Sequence, residues 1–302
     1  MEQSFVAWAK MRAARLSHQV QLGIGDDAAV LDGSLGDVVA TTDSLLDGTH
    51  FILAEVDPRR IGRKLVNVNL SDLAAMAAEP EALFISLCLP TSASDELASE
   101  LFEGICEAAE QYGCAVAGGD TNCWNGPLAL HLTAIGRAQS CGVWKRSGAQ
   151  AEDLIVVTGP LGGSLLGKHI DFEPRLAWAR AVRESVPVHA AIDISDGLSI
   201  DLLRVCDASG CGAVLDMANV PISAAAERMA QQSGRAALAH ALGDGEDFEL
   251  LIALPESEFA KLQAIVGTQQ AIAVGRFTSR TGLWARRGSR IEQLPATGYV
   301  HG

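Results

Sequence analysis

The chain has 302 residues, of which 48% are hydrophobic and 30 are glycine, and its net charge is −14. That length accommodates one large domain or two of ordinary size, with enough chain to bury a proper core. The acidic balance argues against nucleic acid as the main partner, because phosphate contacts need clustered Lys and Arg, and no apolar run approaches the length that crosses a bilayer.

Residues 1–16 read as an amphipathic helix that lacks the apolar stretch and small-residue cleavage site of a secretory signal. A Gly/Asp loop follows over 23–28. Residues 37–42 read as a strand that ends in Asp43. Asp57 and Pro58 make a helix start, a capping carboxylate followed by proline at the first helical position, and the helix runs towards Ala78. A strand is expected over 83–89, and a helix over 95–112 that stops at Gly113. A short strand over 114–117 leads into Gly118-Gly119-Asp120, and another strand covers 128–135. The polar stretch 146–153 reads as a linker. Beyond it come strands over 154–158, 190–194, 248–254 and 271–274, with helices between them. Strands alternating with helices indicate an α/β or mixed α+β architecture in two domains, 1–146 and 147–302. The seven cysteines form no C-x-x-C pair or zinc pattern and sit mostly among apolar residues. A reducing cytoplasm suits them.

One pattern recurs: an apolar run that ends in Gly, Ser or Thr and then in Asp. It is seen in Thr41-Thr42-Asp43, in Gly118-Gly119-Asp120 and in Asp193-Ile194-Ser195-Asp196, while Gly25-Asp26-Asp27 adds an adjacent pair. Carboxylates at strand ends gather at one rim of a sheet, where α/β proteins commonly bind ligands. Asp72 falls on the apolar stripe of its helix with Ile61, Leu65, Val68 and Met76, and Asn69 is close beside it. A carboxylate facing inward is costly unless paired, and a cation is a reasonable partner for it. Each Asp alone is an ordinary turn or cap residue; together they form a hard-oxygen donor set that selects Mg²⁺ or Ca²⁺.

Two motifs compete with that reading. Residues 162–169, Gly-Gly-Ser-Leu-Leu-Gly-Lys-His, nearly match a phosphate-binding P-loop, but His169 stands where a Ser or Thr should reach Mg²⁺. Residues 23–28 fit a dinucleotide fingerprint, yet Asp26 and Asp27 would repel a pyrophosphate there unless metals intervened. His50 reads on pattern alone as a turn histidine.

In combination, these segments resemble the thiamine-monophosphate kinase family. The matching pieces are Gly23-Ile24-Gly25-Asp26-Asp27-Ala28, Thr41-Thr42-Asp43 with His50-Phe51, Val68-Asn69-Leu70-Ser71-Asp72, Gly118-Gly119-Asp120-Thr121, Arg146-Ser147-Gly148, Asp193-Ile194-Ser195-Asp196-Gly197, Gly245-Glu246-Asp247-Phe248-Glu249 and Gly298-Tyr299. Their order holds from about residue 20 to the end. The resemblance implies the two-domain fold of aminoimidazole ribonucleotide synthetase, with residues 1–146 as the ATP- and metal-binding domain that pairs into a homodimer and 147–302 as a C-terminal α/β domain. It implies ATP-dependent phosphorylation of thiamine monophosphate to thiamine diphosphate with several Mg²⁺ ions. Asp27, Thr41, Thr42, Asp43, Asp72, Asp120, Asp193 and Asp196 would then be metal ligands, with Asp27, Asp43, Asp72, Asp120 and Asp193 catalytic through them. Tyr112, Gly119, Asp120, Arg146 and Ser195 would contact ATP, and His50, Glu246 and Tyr299 the thiamine moiety. Asp244 stands where the family usually has glycine. The alternatives are a related ATP-dependent synthetase and a non-catalytic Mg²⁺-nucleotide sensor.

Overall fold

Residues 20–22, 26, 28–31 and 37–299 are described by the computed structural model of the chain. The expected N-terminal helix, residues 23–25, Asp27 and Gly302 lie outside the described residues. Two sheets carry the architecture. The first has six strands in the order β1-β2-β3-β6-β4-β5, namely β1 (Val20–Leu22), β2 (Ala29–Leu31), β3 (Val38–Leu46), β4 (Glu79–Pro90), β5 (Ala115–Trp124) and β6 (Ala129–Arg137). Only β4 and β5 run parallel.

The second sheet has seven strands in the order β13-β12-β9-β11-β7-β10-β8. They are β7 (Leu154–Val157), β8 (Ala190–Asp193), β9 (Gly212–Asp216), β10 (Leu250–Leu254), β11 (Ile272–Thr278), β12 (Gly282–Arg287) and β13 (Arg290–Gln293). Its strands are antiparallel neighbours except β12 and β9. The expected strand over 248–254 begins only at Leu250. Phe248 has φ 50°, a left-handed backbone that no strand accommodates.

Helix α1 (Pro58–Ala75) starts as the sequence indicates: the Asp57 carboxylate accepts the Arg59 N–H, and Pro58 occupies the first turn. It lies between the sheets. Its apolar residues Ile61, Leu65, Val68 and Leu73 join a core that takes in Val39, Leu83 and Leu132 of the first sheet and Val156, Leu250 and Ile252 of the second. Helix α2 (Asp95–Tyr112) is capped by Ser94 and stopped by Gly113 in the left-handed conformation, φ 74°. It crosses α1 at two glycines. A Cβ on Gly104 would stand 1.9 Å from the Arg59 carbonyl oxygen, and one on Gly62 would stand 2.1 Å from that of Leu101. Glycine is required at both because backbone meets backbone there.

The remaining helices are α3 (Lys168–Asp171), α4 (Leu176–Val182), α5 (Leu198–Ser209), α6 (Ala224–Ser233), α7 (Ala237–Gly243) and α8 (Glu256–Val266). A second core, with Ile192, Leu202, Val205 and Leu251 among its members, fills the space between the other face of the second sheet and helices α5 and α7. No helix among the described residues is long and apolar enough to cross a membrane.

Candidate active site

Alternation along β3 decides which of its side chains can meet a ligand together. Thr41, Asp43 and Leu45 point to the face covered by α1, while Thr42 and Ser44 point to the open face. Thr42 and Ser44 are accordingly exposed, and their hydroxyls reach Thr133 (3.1 Å) and His131 Nδ1 (2.6 Å) on β6. Asp120 shares the register row of Ser44, His131 and Ser86, so it also stands on the open face. The oxygens attributed to one metal set thus divide in this chain. Thr41 and Asp43 face α1, and Thr42 and Asp120 face away from it.

Asp43 and Asp120 also lie inside their strands rather than at the ends. β6 pairs with β3 over its whole length, and β5 continues through Gly118-Gly119-Asp120 alongside β4. The run ending in Gly-Gly-Asp reads as a strand leaving the sheet, but a glycine pair can also stay in a ladder. The Gly119 Cβ position falls 1.9 Å from the Ile85 carbonyl oxygen, so the close approach of β4 depends on that glycine.

Between the sheets lies a cavity of about 340 Å³ lined by Asp43, His50, Asp72, Asp193, Ser195, Asp196, Asp244, Glu246, Phe248 and Tyr299, among others. Asp72 is half-buried on α1 and faces this cavity rather than the core. The polar groups that α1 does bury completely are Lys64, Asn69 and Ser71. Two consecutive residues of the helix reach different sheets: Thr41 Oγ1 donates to Asp72 Oδ2 at 2.5 Å, and Ser71 Oγ donates to Asp193 Oδ2 at 2.7 Å. Asp193 ends β8, and the following turn carries Ser195 and Asp196. That turn is pinned from beneath. The buried Asp201 carboxylate accepts the N–H groups of Asp196 and Gly197 at 3.0 Å, and Arg204 bridges Asp201 and Asp196 at 2.6 Å each. Burial pushes the Asp201 carboxyl up to about 7 against the pull of Arg204.

The rest of the lining comes from the 46–51 turn, the 244–248 loop and Tyr299. His50 Nδ1 accepts the Leu46 N–H at 3.0 Å, which leaves Nε2 to carry the proton in the neutral ring. Gly245, Glu246 and Phe248 all have positive φ (76°, 51° and 50°). The loop is held by the Glu246 N–H on the Ser195 carbonyl (2.6 Å) and by stacking of Phe248 on Phe172 (3.9 Å between centroids). Left-handed non-glycine residues are costly and concentrate at ligand sites. Tyr299 joins the wall through its N–H on the Asp196 carbonyl at 2.9 Å.

Arg146 lies at the seam between the halves. Its N–H contacts the Asp26 carboxylate at 3.2 Å, and its carbonyl accepts from Ser209 Oγ. Gly119 and Asp120 border a groove of about 390 Å³ along the edge strand, with Phe102 and Thr121. Tyr112 is half-buried at the end of α2 against the first core, where burial pushes its hydroxyl up to about 12.

The near-P-loop is occupied by the protein itself. The Gly162 N–H points at the Asp247 carboxylate (2.9 Å), the Gly163 N–H at Asp244 Oδ2 (3.1 Å), and Lys168 Nζ at Glu249 Oε1 (2.7 Å). The donors that would cradle a phosphate are spent on carboxylates. Asp244 therefore has a structural task in this loop, which it shares with His240 at 2.8 Å.

Two fully buried charges have no role assigned by the motifs. Lys64, with no exposed surface, reaches Glu246 Oε1 at 2.7 Å. It stands three residues after Ile61 and four before Val68, so a lysine on the apolar stripe was the available signal. Glu249 is equally buried and binds Arg175 through Nε and Nη2, Lys168 at 2.7 Å and Thr158 Oγ1 at 2.6 Å.

The cavity carboxylates of Asp43, Asp72, Asp193 and Asp196, with the Thr41 hydroxyl behind Asp72, form an all-oxygen set that suits Mg²⁺. Among the described residues, no three His, Cys, Asp or Glu side chains converge into a group that would hold an ion unaided. Mg²⁺ is ordinarily bound by one or two carboxylates, with substrate phosphates and water completing its shell, and spaced carboxylates around a cavity fit that manner of binding.

The description AIR synthase related protein, N-terminal domain, matches residues 25–138, and its C-terminal counterpart matches residues 151–285. A thiamine-monophosphate kinase of Rhodopirellula baltica is 45% identical, with 100% of this chain and 98% of the relative covered. That of Escherichia coli strain K12 is 36% identical over 97% of this chain and 94% of its own. A solved structure of AaThiL complexed with AMPPCP and TMP superposes with TM-score 0.85 at 24% identity, covering 98% of this chain and 96% of that one, and shares the fold. With two-domain coverage and relatives this similar along the full length, the chain belongs to the thiamine-monophosphate kinase family of AIR synthase related proteins.

Proposed function

We propose that this chain transfers the γ-phosphoryl group of ATP to thiamine monophosphate, giving thiamine diphosphate. The observation that carries the reading is the make-up of the cavity lining: the carboxylates of Asp43, Asp72, Asp193 and Asp196 share it with His50, Glu246 and Tyr299. A cationic heterocycle bearing a metal-bound phosphate matches that combination of groups. The ring lies against Glu246 and stacks on Tyr299, and the phosphate points towards the aspartates.

Both reactants are anions, and two unit charges about 4 Å apart repel by about 1 kcal/mol in water and several-fold more in a drier site. Mg²⁺ held by Asp43, Asp72, Asp193 and Asp196, with Asp27 and Thr41, would supply the charge neutralisation that lets the phosphates approach. The protein's own part is alignment. Thr41 and Ser71 fix the Asp72 and Asp193 carboxylates, Ser195 and Arg146 meet the nucleotide phosphates, and His50 offers Nε2–H to the acceptor. The attacking phosphate oxygen is already ionised at neutral pH, so in-line transfer needs no general base and no covalent enzyme intermediate.

Thr42, Gly119, Asp120 and Tyr112 enter this scheme through a second copy of the chain. We read the open face of the first sheet, with Phe84 and Trp124 each more than 40% exposed, as the surface of a homodimer. The division into 1–146 and 147–302 and a cytoplasmic location, which the seven free cysteines suit, belong to the same reading.

The test is ATP turnover with thiamine monophosphate and Mg²⁺, followed by chromatographic separation of thiamine diphosphate, with free thiamine as control acceptor. Product from the monophosphate alone supports the kinase. ATP binding without product would return the site to a sensor or to a synthetase with another acceptor.

A further inference from the structure

The family motifs leave Lys64 without a role, although it is among the largest side chains with no exposed surface. Its Nζ donates to Glu246 Oε1 at 2.7 Å and to the His50 carbonyl at 2.8 Å. These acceptors come from separate elements, the turn after β3 and the loop before β10, and both border the cavity and a side chamber of about 280 Å³ next to it. Fold stability alone does not explain such a pair, because a buried ion pair seldom outperforms apolar side chains of the same volume. What it does here is geometric. The Glu246 loop has left-handed backbone at three residues, and Lys64 is the side chain that ties its carboxylate to the first half of the chain.

We propose that Lys64 is a positioning residue for the acceptor: by holding Glu246 Oε1 and the His50 turn together, it presents the second Glu246 oxygen to the heterocycle of the phosphorylated substrate. This rests on the reading of the cavity as the acceptor site. Glu246 is 23% exposed, so its free oxygen can exchange water for a substrate N–H or cationic ring.

Lys64→Met keeps the length of the stem and removes the ammonium. The expected result is a KM for thiamine monophosphate raised about tenfold or more, with KM for ATP and kcat within about twofold of wild type. Added to Glu246→Gln, the same change is expected to raise KM no further than Glu246→Gln alone, because the two residues act as one unit. An unchanged acceptor KM, an equal loss for both substrates, or additive effects would overturn the proposal. If Lys64→Met is recovered unfolded, Lys64→Gln, which loses the charge and keeps a shorter polar stem, carries the test. A folded variant with raised acceptor KM supports positioning, and wild-type constants for both substrates overturn it. Wild-type turnover is read first. Its absence would remove the acceptor assignment and the positioning role together, whereas turnover with unchanged constants in the variants removes the positioning role alone.

Discussion

A glutamine at position 249 would keep the volume of a fully buried side chain and remove its charge and one of its two acceptor oxygens. Glu249 accepts from Nε and Nη2 of Arg175, from Lys168 and from Thr158. Deleting one partner of a buried ion pair typically costs about 3–5 kcal/mol. Arg175 and Lys168 retain 27% and 33% side-chain exposure and can rehydrate in part, so about 2–3 kcal/mol is expected for Glu249→Gln. At roughly 2–4 °C per kcal/mol, Tm falls by about 4–12 °C. The effect has a pH signature. Burial alone would raise the Glu249 carboxyl, but hydrogen bonds from Arg175 and the charges of Lys168 and Arg175 hold it below the usual range. A carboxyl depressed in the folded state stabilises above its unfolded pKa of about 4.3, and the contribution is lost as pH falls through the folded value. Urea unfolding of both proteins at pH 7 and at stepwise lower pH checks this. A difference under about 0.5 kcal/mol at pH 7, or one that does not narrow below about pH 4, would refute the reasoning.

Asp72→Asn keeps an oxygen for the Thr41 hydroxyl and loses the charge; kcat/KM is expected to drop about 100-fold or more with Tm nearly unchanged, as read by steady-state kinetics and a thermal scan. Burial pushes the Asp247 carboxyl up to about 7, so ionising it works against folding. Wild type is expected to lose stability relative to Asp247→Asn as pH rises from about 4 to about 7, measured by urea titration, and a constant difference would remove the basis. Gly104→Ala drives a methyl into the Arg59 carbonyl and is expected to lower stability by about 1–3 kcal/mol in urea, while an alanine at exposed Gly113 leaves the α1–α2 crossing intact.

Much of the scaffold is legible in the sequence where local chemistry is strong. Asp57-Pro58 and Ser94 to Gly113 mark α1 and α2 because caps act within a few residues. Short strands such as β9, β12 and β13 go unseen, since Gly212, Gly282 and the charged run of β13 carry little alternation. The members of the acidic set are named by their motifs, but their sorting is not. Whether Thr41 or Thr42 meets α1 depends on strand register, and whether Asp120 shares a face with Asp43 depends on pairings across three strand boundaries. Long-range ion pairs such as Lys64–Glu246 and Arg175–Glu249 leave only the trace of a charge on an apolar stripe or run.

Ser71 and Asp72 are neighbours on one helix, about 100° apart around its axis, and each answers to a different sheet. Exchange of modules between relatives meets an obstacle here. A crossover placed before or after α1 would pair its Ser71 face with a foreign β8, or its Asp72 face with a foreign β3, and either mismatch would disturb an aspartate at the cavity. Shuffling across this helix is expected to give folded but inactive hybrids, while segments swapped within a single sheet are expected to keep activity.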